Sequence, residues 1–506
     1  MNQFQSLRAN PVSLRQHSRT LPRTASPPGP RGAPGGGSGG ILCAARASGV
    51  ARSLWLAVCL TGTLCAAEAP VAPDSLSTAP RVIRYISSLP DHKGETCYGM
   101  VTADANGIPI QVRALRDRYP QLCYRGSAPQ SAPELIRLAF QAADRVVAGD
   151  GRAVDEPELE ELLEPDRLSE VVLPPVAITR HELDTLQRFV IGIGLNYTEH
   201  LEEVGSSIES DELLVFPKPV VPTGPYAPVR AGVQIGELPP QPVLLLDYEV
   251  ELGLVLLKDI DLGNPPNSYE EFLSNVAFFT ANDVSDREPI ILELESGYTR
   301  GKSHPGYLPI GPWLVSGARL RPRTVDEGEH SLEVGALVRE AQPAEDLPFG
   351  EARQLSTTDA MLRGPWSIIV NMSRAFRSGH VVCMRDADLQ PRFVHDARGI
   401  IPAGSIILTG TPGGTAIREP RLLEKAELFL RGGFSREGAR KAFIEVAEHT
   451  VSSLPYLETG DEVESWVETL GRQRWTVSDG GELKPYGVAG SGACEPGTRP
   501  QPVSSP

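Results

Sequence analysis

Val243-Leu-Leu-Leu-Asp-Tyr-Glu-Val-Glu-Leu-Gly-Leu-Val-Leu-Leu257 is the stretch whose reading decides the fold. Taken as one strand, its period of two puts Leu244, Leu246, Tyr248, Val250, Leu252, Leu254 and Leu256 on one face. Asp247, Glu249 and Glu251 line the other, between apolar residues of that same face. A strand that enters and leaves a core while its middle carries three carboxylates must neutralise them, because burying an unpaired carboxylate costs several kcal/mol. Protonation, basic partners and solvent exposure are all open; a hard divalent cation fits best, and an all-oxygen set favours Mg²⁺, Mn²⁺ or Ca²⁺ over zinc. The alternative is an edge strand with a solvated acidic middle.

Downstream, Val276-Ala-Phe-Phe-Thr-Ala-Asn-Asp-Val-Ser-Asp-Arg287 reads as an apolar strand ending at Asn282-Asp283, so Asp283 is a candidate third ligand, with a plain turn as the bland option. Upstream, Gly192-Ile-Gly-Leu-Asn-Tyr-Thr-Glu-His-Leu-Glu-Glu-Val-Gly205 couples a strand to a short helix in which Asn196 and Glu199 have capping-box spacing and Gly205 is a stop. There His200 and Glu203 are neighbours on one face, and a carboxylate beside an imidazole makes a general base; an ordinary polar helix is the competing reading. Gly301-Lys-Ser303 lacks the first glycine of a phosphate loop, since position 296 is Ser296. Lys302 is left to hold an anion or an enolate oxygen, or to pair with an acid. In Leu408-Thr-Gly-Thr-Pro-Gly-Gly-Thr415 the glycines allow backbone amides close to an anion, or simply make a tight turn.

The frame around these segments is a 506-residue chain, 41% hydrophobic, with 48 Lys+Arg against 64 Asp+Glu and a net charge of −16. That balance argues against general nucleic-acid or anionic-lipid binding. Residues 1–79 read as a disordered Gly/Pro-rich leader followed by a signal-peptide-like segment at 52–69, too short for a comfortable membrane span, with translation expected to start near Val50. If that segment is used the protein is periplasmic or secreted; otherwise it is cytoplasmic, and in neither case does it carry a stable membrane anchor. Beyond the leader only Cys97, Cys123, Cys383 and Cys494 remain. Cys97 and Cys123 are a candidate pair, with free buried thiols the alternative.

Strands are expected at 82–86, 97–102 and 107–112 and a helix over 132–147, forming a small β-containing N-terminal domain at 80–178 that closes on an acidic linker from Asp155 to Pro165. Further β-like runs are Phe189–Gly194, Leu213–Phe216, Trp313–Val315, Ile368–Val370, Ile406–Thr409 and Glu462–Val467, with helices at 421–430 and 436–447. The expectation is a β-rich α+β body at 185–478 with an insertion near 417–455, and a loose tail at 479–506.

In order along the chain, Ile193-Gly-Leu-Asn-Tyr-x-x-His200-x-x-Glu203, Phe216-x-Lys-Pro219, Asp247-Tyr-Glu-Val-Glu-Leu252, Thr280-Ala-Asn-Asp-Val-Ser285, Gly301-Lys-Ser303, Pro309-Ile-Gly-Pro-Trp313, Ser356-Thr-Thr-Asp-Ala-Met361 and Ile407-Leu-Thr-Gly-Thr-Pro-Gly413 resemble the fumarylacetoacetate hydrolase family. The resemblance implies a mixed β-sandwich roll, often a homodimer, with Mg²⁺ or Mn²⁺ (Ca²⁺ as a third option) on Glu249, Glu251 and Asp283. It implies a His200/Glu203 dyad on a lid, Lys302 near the oxyanion, and Thr411, Gly410 and Arg287 on the substrate. The implied reaction is hydrolysis of a carbon–carbon bond in a β-diketo acid of the fumarylacetoacetate or acylpyruvate type, with water activated by His200 and Glu203 and the enolate stabilised by the metal and Lys302. A 2-oxo acid decarboxylase, isomerase or hydratase on the same site, and a secreted metal-binding protein without efficient turnover, are the alternatives. Three departures stand out: Ile290 where relatives carry Gln, His304 where they carry Phe, and the 417–455 insertion. They imply an altered substrate choice.

Overall fold

The computed structural model describes residues 78–128, 130–149, 159–205, 213–233, 241–325, 327–341, 352–386, 388–417, 420, 422–449, 456–479 and 493–501. The leader, the proposed signal segment and the start of the acidic linker therefore lie outside the described residues, apart from Thr78 and Ala79 at the leader's end.

The deciding stretch is not one strand. It breaks into a short bridge, Leu246–Asp247, paired with Ser285–Asp286, and a seven-residue strand, Val250–Leu256. The break has a polar cause: Asp247 accepts from the amides of Tyr248 and Ala416 and from Arg287, which pulls the backbone out of a continuous ladder. Val250–Leu256 is central rather than an edge, hydrogen-bonded to Val276–Asn282 on one side and Ile406–Leu408 on the other, both antiparallel. Every one of its residues is buried, which explains why its outer half reads as an unbroken apolar run.

Both faces of the strand are covered. On one, Val250, Leu252 and Leu254 join Val334, Val463 and Trp475 in the main core, contributed by a five-stranded sheet ordered 352–357, 333–339, 462–467, 472–478, 229–230. On the other, Val255 meets Phe279, Leu314 and the apolar face of the helix Ala132–Val147. That helix begins with the Ser131/Glu134 capping box and Pro133 in its first turn, and runs over the residues expected of it. The sheets are mixed, since 190–194 runs parallel to 406–408 while most other pairs are antiparallel. This is the expected β-rich α+β, mixed sandwich architecture.

The N-terminal strands do not form a separate sheet. Val82–Ile86 pairs with Trp313–Ser316, so the order 160–162, 108–114, 96–105, 82–86, 313–316, 276–282, 250–256, 406–408, 190–194, 214–217 is continuous. The described part of the expected acidic linker is no linker: Glu160–Leu162 is a strand on 108–114, and Glu161 is buried, accepting from Tyr85 (2.5 Å) and Ser87 (2.9 Å).

Two other expectations are overturned. Ile368–Val370 lies inside a helix, Pro365–Arg377, not a strand; Gly364 and Pro365 start it, and Ile368, Ile369 and Met372 give it a buried face at helical spacing. Asn196 does not cap the helix Thr198–Glu203, because its side chain is held by Arg363 N–H and by the carbonyls of Arg363 and Thr409. The cysteines are paired, Cys97 with Cys123 and Cys383 with Cys494. The second bond tethers 493–501, within the stretch expected to be a loose tail. Among the described residues no helix is long and apolar enough to cross a membrane.

Candidate metal centre and active site

Four chain segments reach the same end of the central sheet. Glu249 and Glu251 flank the start of Val250–Leu256, and its antiparallel partner ends at Asn282, directly before Asp283, whose amide donates to Glu249 O at 2.8 Å. The strand 406–408 also runs out at this end, so the loop 409–415 lies over it, and the parallel strand 190–194 delivers the helix 198–203 carrying His200.

Glu249, Glu251 and Asp283 are buried, and each offers an oxygen such that the three lie within 4.8 Å of one another. Lys302 Nζ is 2.5 Å from Glu249 Oε2 and 2.8 Å from Asp283 Oδ2. Arg287 spans Asp247 Oδ2 (2.7 Å) and Glu249 Oε1 (2.6 Å). Lys218, fully buried, sits 2.6 Å from Asp283 Oδ1 and donates to the carbonyls of Val284 and Lys302. Counting Asp247, four buried carboxyl groups face three buried cations, one acid more than the bases can pair. Burial alone would raise the Glu249 carboxyl, but Lys302 and Arg287 hold it down at about 2. Burial, with Asp283 and Glu249 close by, pushes Glu251 well above the usual carboxylate range. Burial also lowers Lys218 against the pull of Asp283, whereas for Lys302 the attraction of Asp283 and Glu249 outweighs burial and raises it.

Glu251 shows what the site is built to take. One oxygen accepts from Gly410 N–H at 2.6 Å, while Oε1 is buried with no hydrogen-bond partner. A buried carboxylate oxygen left unpaired is costly, and beside two further carboxylates it suits a hard cation. The donor set thus fits a divalent metal.

His200 is buried, with Nδ1 3.7 Å from Glu203 Oε2; neither atom has a hydrogen-bond partner. Glu203 is held from behind by Gly414 N–H at 2.7 Å. Gly410 takes a positive φ of 94°, and a Cβ there would come within 2.8 Å of Asn196 Cβ, so only glycine lets its amide reach Glu251 without strain. Thr411 lines the cavity, but its hydroxyl donates to Val250 O (3.0 Å) and accepts from Gln354 (2.8 Å). Arg287 also lines the cavity, with its charge spent on Asp247 and Glu249. All the expected residues thus converge, although Gly410 and the Thr411 hydroxyl serve the framework in this structure. His304 is off to the side, 3.5 Å from Asp286 and edge-on to Tyr307.

The cavity above the carboxylates measures about 650 Å³. Ile290 is in its wall, as are residues of the expected insertion near 417–455, whose described part includes two helices, Leu422–Arg431 and Arg436–His449.

Two residues had no role in the sequence analysis. Lys218 stands alone in the apolar run Val215-Phe-Pro-Lys-Pro-Val-Val221, and a lone lysine in such a run is the signal of a buried, paired one. Gln354, buried, accepts from Val250 N–H and donates to Thr411 Oγ1 and Pro412 O, clamping the 409–415 loop to the central strand; nothing in its local sequence marks it.

Residues 189–478 match the family model described as fumarylacetoacetate (FAA) hydrolase C-terminal. A curated relative named "Putative hydrolase Bcen2424_5521", from Burkholderia cenocepacia (strain HI2424), is 36% identical over 132 residues, 25% of this chain and 40% of the relative. The chain thus spans less than half the length of the curated relatives it matches. Among solved structures, a fumarylacetoacetate hydrolase from Exiguobacterium antarcticum is 19% identical, covering 79% of this chain and 100% of that one with a TM-score of 0.45. A probable 2-hydroxyhepta-2,4-diene-1,7-dioate isomerase from Mycobacterium abscessus is 21% identical, covering 80% and 100%, also at 0.45.

Proposed function

Because the chain belongs to the fumarylacetoacetate (FAA) hydrolase family, we propose that it hydrolyses a carbon–carbon bond in an acylpyruvate-type β-diketo acid, using a divalent cation held by Glu249, Glu251 and Asp283. The observation that carries this reading is the unpartnered, buried Oε1 of Glu251 within a three-carboxylate cluster that lies under a cavity also lined by His200. Bound there, the cation would polarise the 2-oxo acid end of the substrate and offset the negative charge that grows as the bond breaks.

The chain's own groups divide the remaining work. Glu203, fixed by Gly414 N–H, stands 3.7 Å from His200 Nδ1, and closing that gap would orient the imidazole to take a proton from water as the oxygen adds to the distal carbonyl carbon. The bond between that carbon and the next then breaks; its electron pair moves into a pyruvate enolate, which takes up a proton to give pyruvate, while the acyl carbon leaves as a carboxylic acid. The Lys302 ammonium, buried between Glu249 and Asp283 and lining the cavity, would offset the enolate charge as it develops. Arg287 keeps Glu249 in place and ionised. The two disulfides support the exported reading of the leader, since such bonds persist in oxidising compartments.

The test is loss of diketone ultraviolet absorbance from a panel of acylpyruvates, alongside oxaloacetate, with Mg²⁺, Mn²⁺ or EDTA. Metal-dependent loss with one pyruvate formed per diketone, abolished in Glu249→Ala, is expected. Pyruvate released from oxaloacetate with every acylpyruvate left intact, or turnover indifferent to EDTA, would contradict the proposal.

A further inference from the structure

We propose that the helical hairpin at 422–449 selects substrates whose acyl group is apolar, an alkyl chain or an aromatic ring without a second carboxylate; this rests on the 2-oxo acid reading above. Leu428, Phe429 and Phe443 of the hairpin line the cavity together with Ile290, Ile291 and Leu294, next along the chain from Arg287. The hairpin is fastened in place by a small core of its own, in which Leu428, Ala442, Phe443 and Ile444 pack on Leu245, with Ile291 and Leu292 against it. Arg440 Nη1 adds a hydrogen bond to Leu292 O at 3.2 Å.

The cavity therefore has two chemistries. One part of its lining is Glu249, Lys302 and Arg287, suited to an oxo acid; another is the hydrocarbon of Ile290, Ile291, Leu294, Leu428, Phe429 and Phe443. About 650 Å³ is in the range that holds a drug-sized ligand, much larger than a three-carbon oxo acid needs. Ile290 offers that ligand no hydrogen bond and, only 7% exposed, is part of the wall. Lys425, Arg436 and Arg440 also border the cavity, so a diacid is the competing occupant that the test must separate.

The test is calorimetric binding of pyruvate, 2-oxobutanoate, 2-oxohexanoate, 2-oxooctanoate and 2-oxoadipate to the Mg²⁺-loaded full chain, none of which has a β-diketone to cleave. Affinity should rise roughly fourfold per methylene through the monoacid series, the factor expected for burying a CH₂. Phe429→Ser, at a partly exposed position, and Ile290→Gln should each weaken 2-oxooctanoate at least fivefold and leave pyruvate unchanged. A flat series, or 2-oxoadipate binding more tightly than 2-oxohexanoate, overturns the inference. The two proposals fail separately: a flat series with acylpyruvate cleavage intact sinks the hairpin's role alone, whereas a graded series without cleavage sinks the hydrolase reading alone. No binding of any oxo acid counts against both.

Discussion

Replacing Lys302 by Met should lower the stability of the metal-free protein and raise its affinity for divalent cations, two properties that usually fall together. The ammonium is 1% exposed and lies 2.5 and 2.8 Å from carboxylates that belong to the candidate metal set. Removing one partner of a buried ion pair costs about 3–5 kcal/mol, because the stranded charge stays buried. In a chain this long, about 1 °C per kcal/mol follows from the size scaling of unfolding entropy, so the melting temperature in EDTA should drop by about 3–5 °C. The ligand oxygens lie within 4.8 Å of one another, so a cation reaching all three is close to Nζ. A divalent cation and a unit charge about 5 Å apart repel by roughly 7 kcal/mol at an effective dielectric constant of 20. Relief of even about 2 kcal/mol of the repulsion tightens Kd about thirtyfold. Differential scanning calorimetry in EDTA and titration with Mn²⁺ read the two halves. A variant that melts with the parent in EDTA, or binds Mn²⁺ more weakly, would refute the account of Lys302 as the resident counter-charge.

Mutating His200 to Ala should cut turnover of any cleaved acylpyruvate about 10²–10⁴-fold, the usual worth of a positioned base, while Mn²⁺ affinity stays within twofold in calorimetry. Gln354→Leu removes hydrogen bonds to Val250, Thr411 and Pro412, so thermal denaturation should show a loss of about 2–4 kcal/mol, and kcat should fall as the 409–415 loop loosens. Glu464 is buried, and although burial would raise its carboxyl, Arg474 and Arg339 hold it below the usual value of 4.5. Its stabilisation is therefore full above that value and lost as pH falls through the lower folded-state value. The melting-temperature gap between the parent and Glu464→Gln should close as pH drops below about 4.5, and a constant gap down to pH 3 would exclude this pairing as its cause.

The three-carboxylate cluster was legible because it depends on period two and on where strands stop. Glu249 and Glu251, two residues apart, share a side whatever the sheet does, and Asp283 follows a strand long enough to reach the same end. What Asp247 does was not legible: it fell on the acidic face of the pattern, yet its partners, Arg287 and the amide of Ala416, come from 40 and 169 residues away. Ile368–Val370 illustrates the ambiguity of a short apolar run, which periodicity cannot assign without the Pro365 that precedes it. Asn196 had the spacing of a cap, and a stronger offer from three backbone groups of other segments won. The helices of the insertion were readable from their own pattern, but what they cover is a property of docking. Cys383 and Cys494 are 111 residues apart, and only the folded chain brings them together.

The seam between Val82–Ile86 and Trp313–Ser316 bears on how this protein can be cut, fused or recombined. A chain begun near residue 180 would keep every group of the candidate metal centre yet expose the peptide edge of Trp313–Ser316, an invitation to pair with any passing strand. The N-terminal segment thus behaves less as an appended module than as a continuation of the central sheet. Gene fusions and trimming are better tolerated at the tip between the two hairpin helices, near Gly432-Gly433, where no sheet is interrupted.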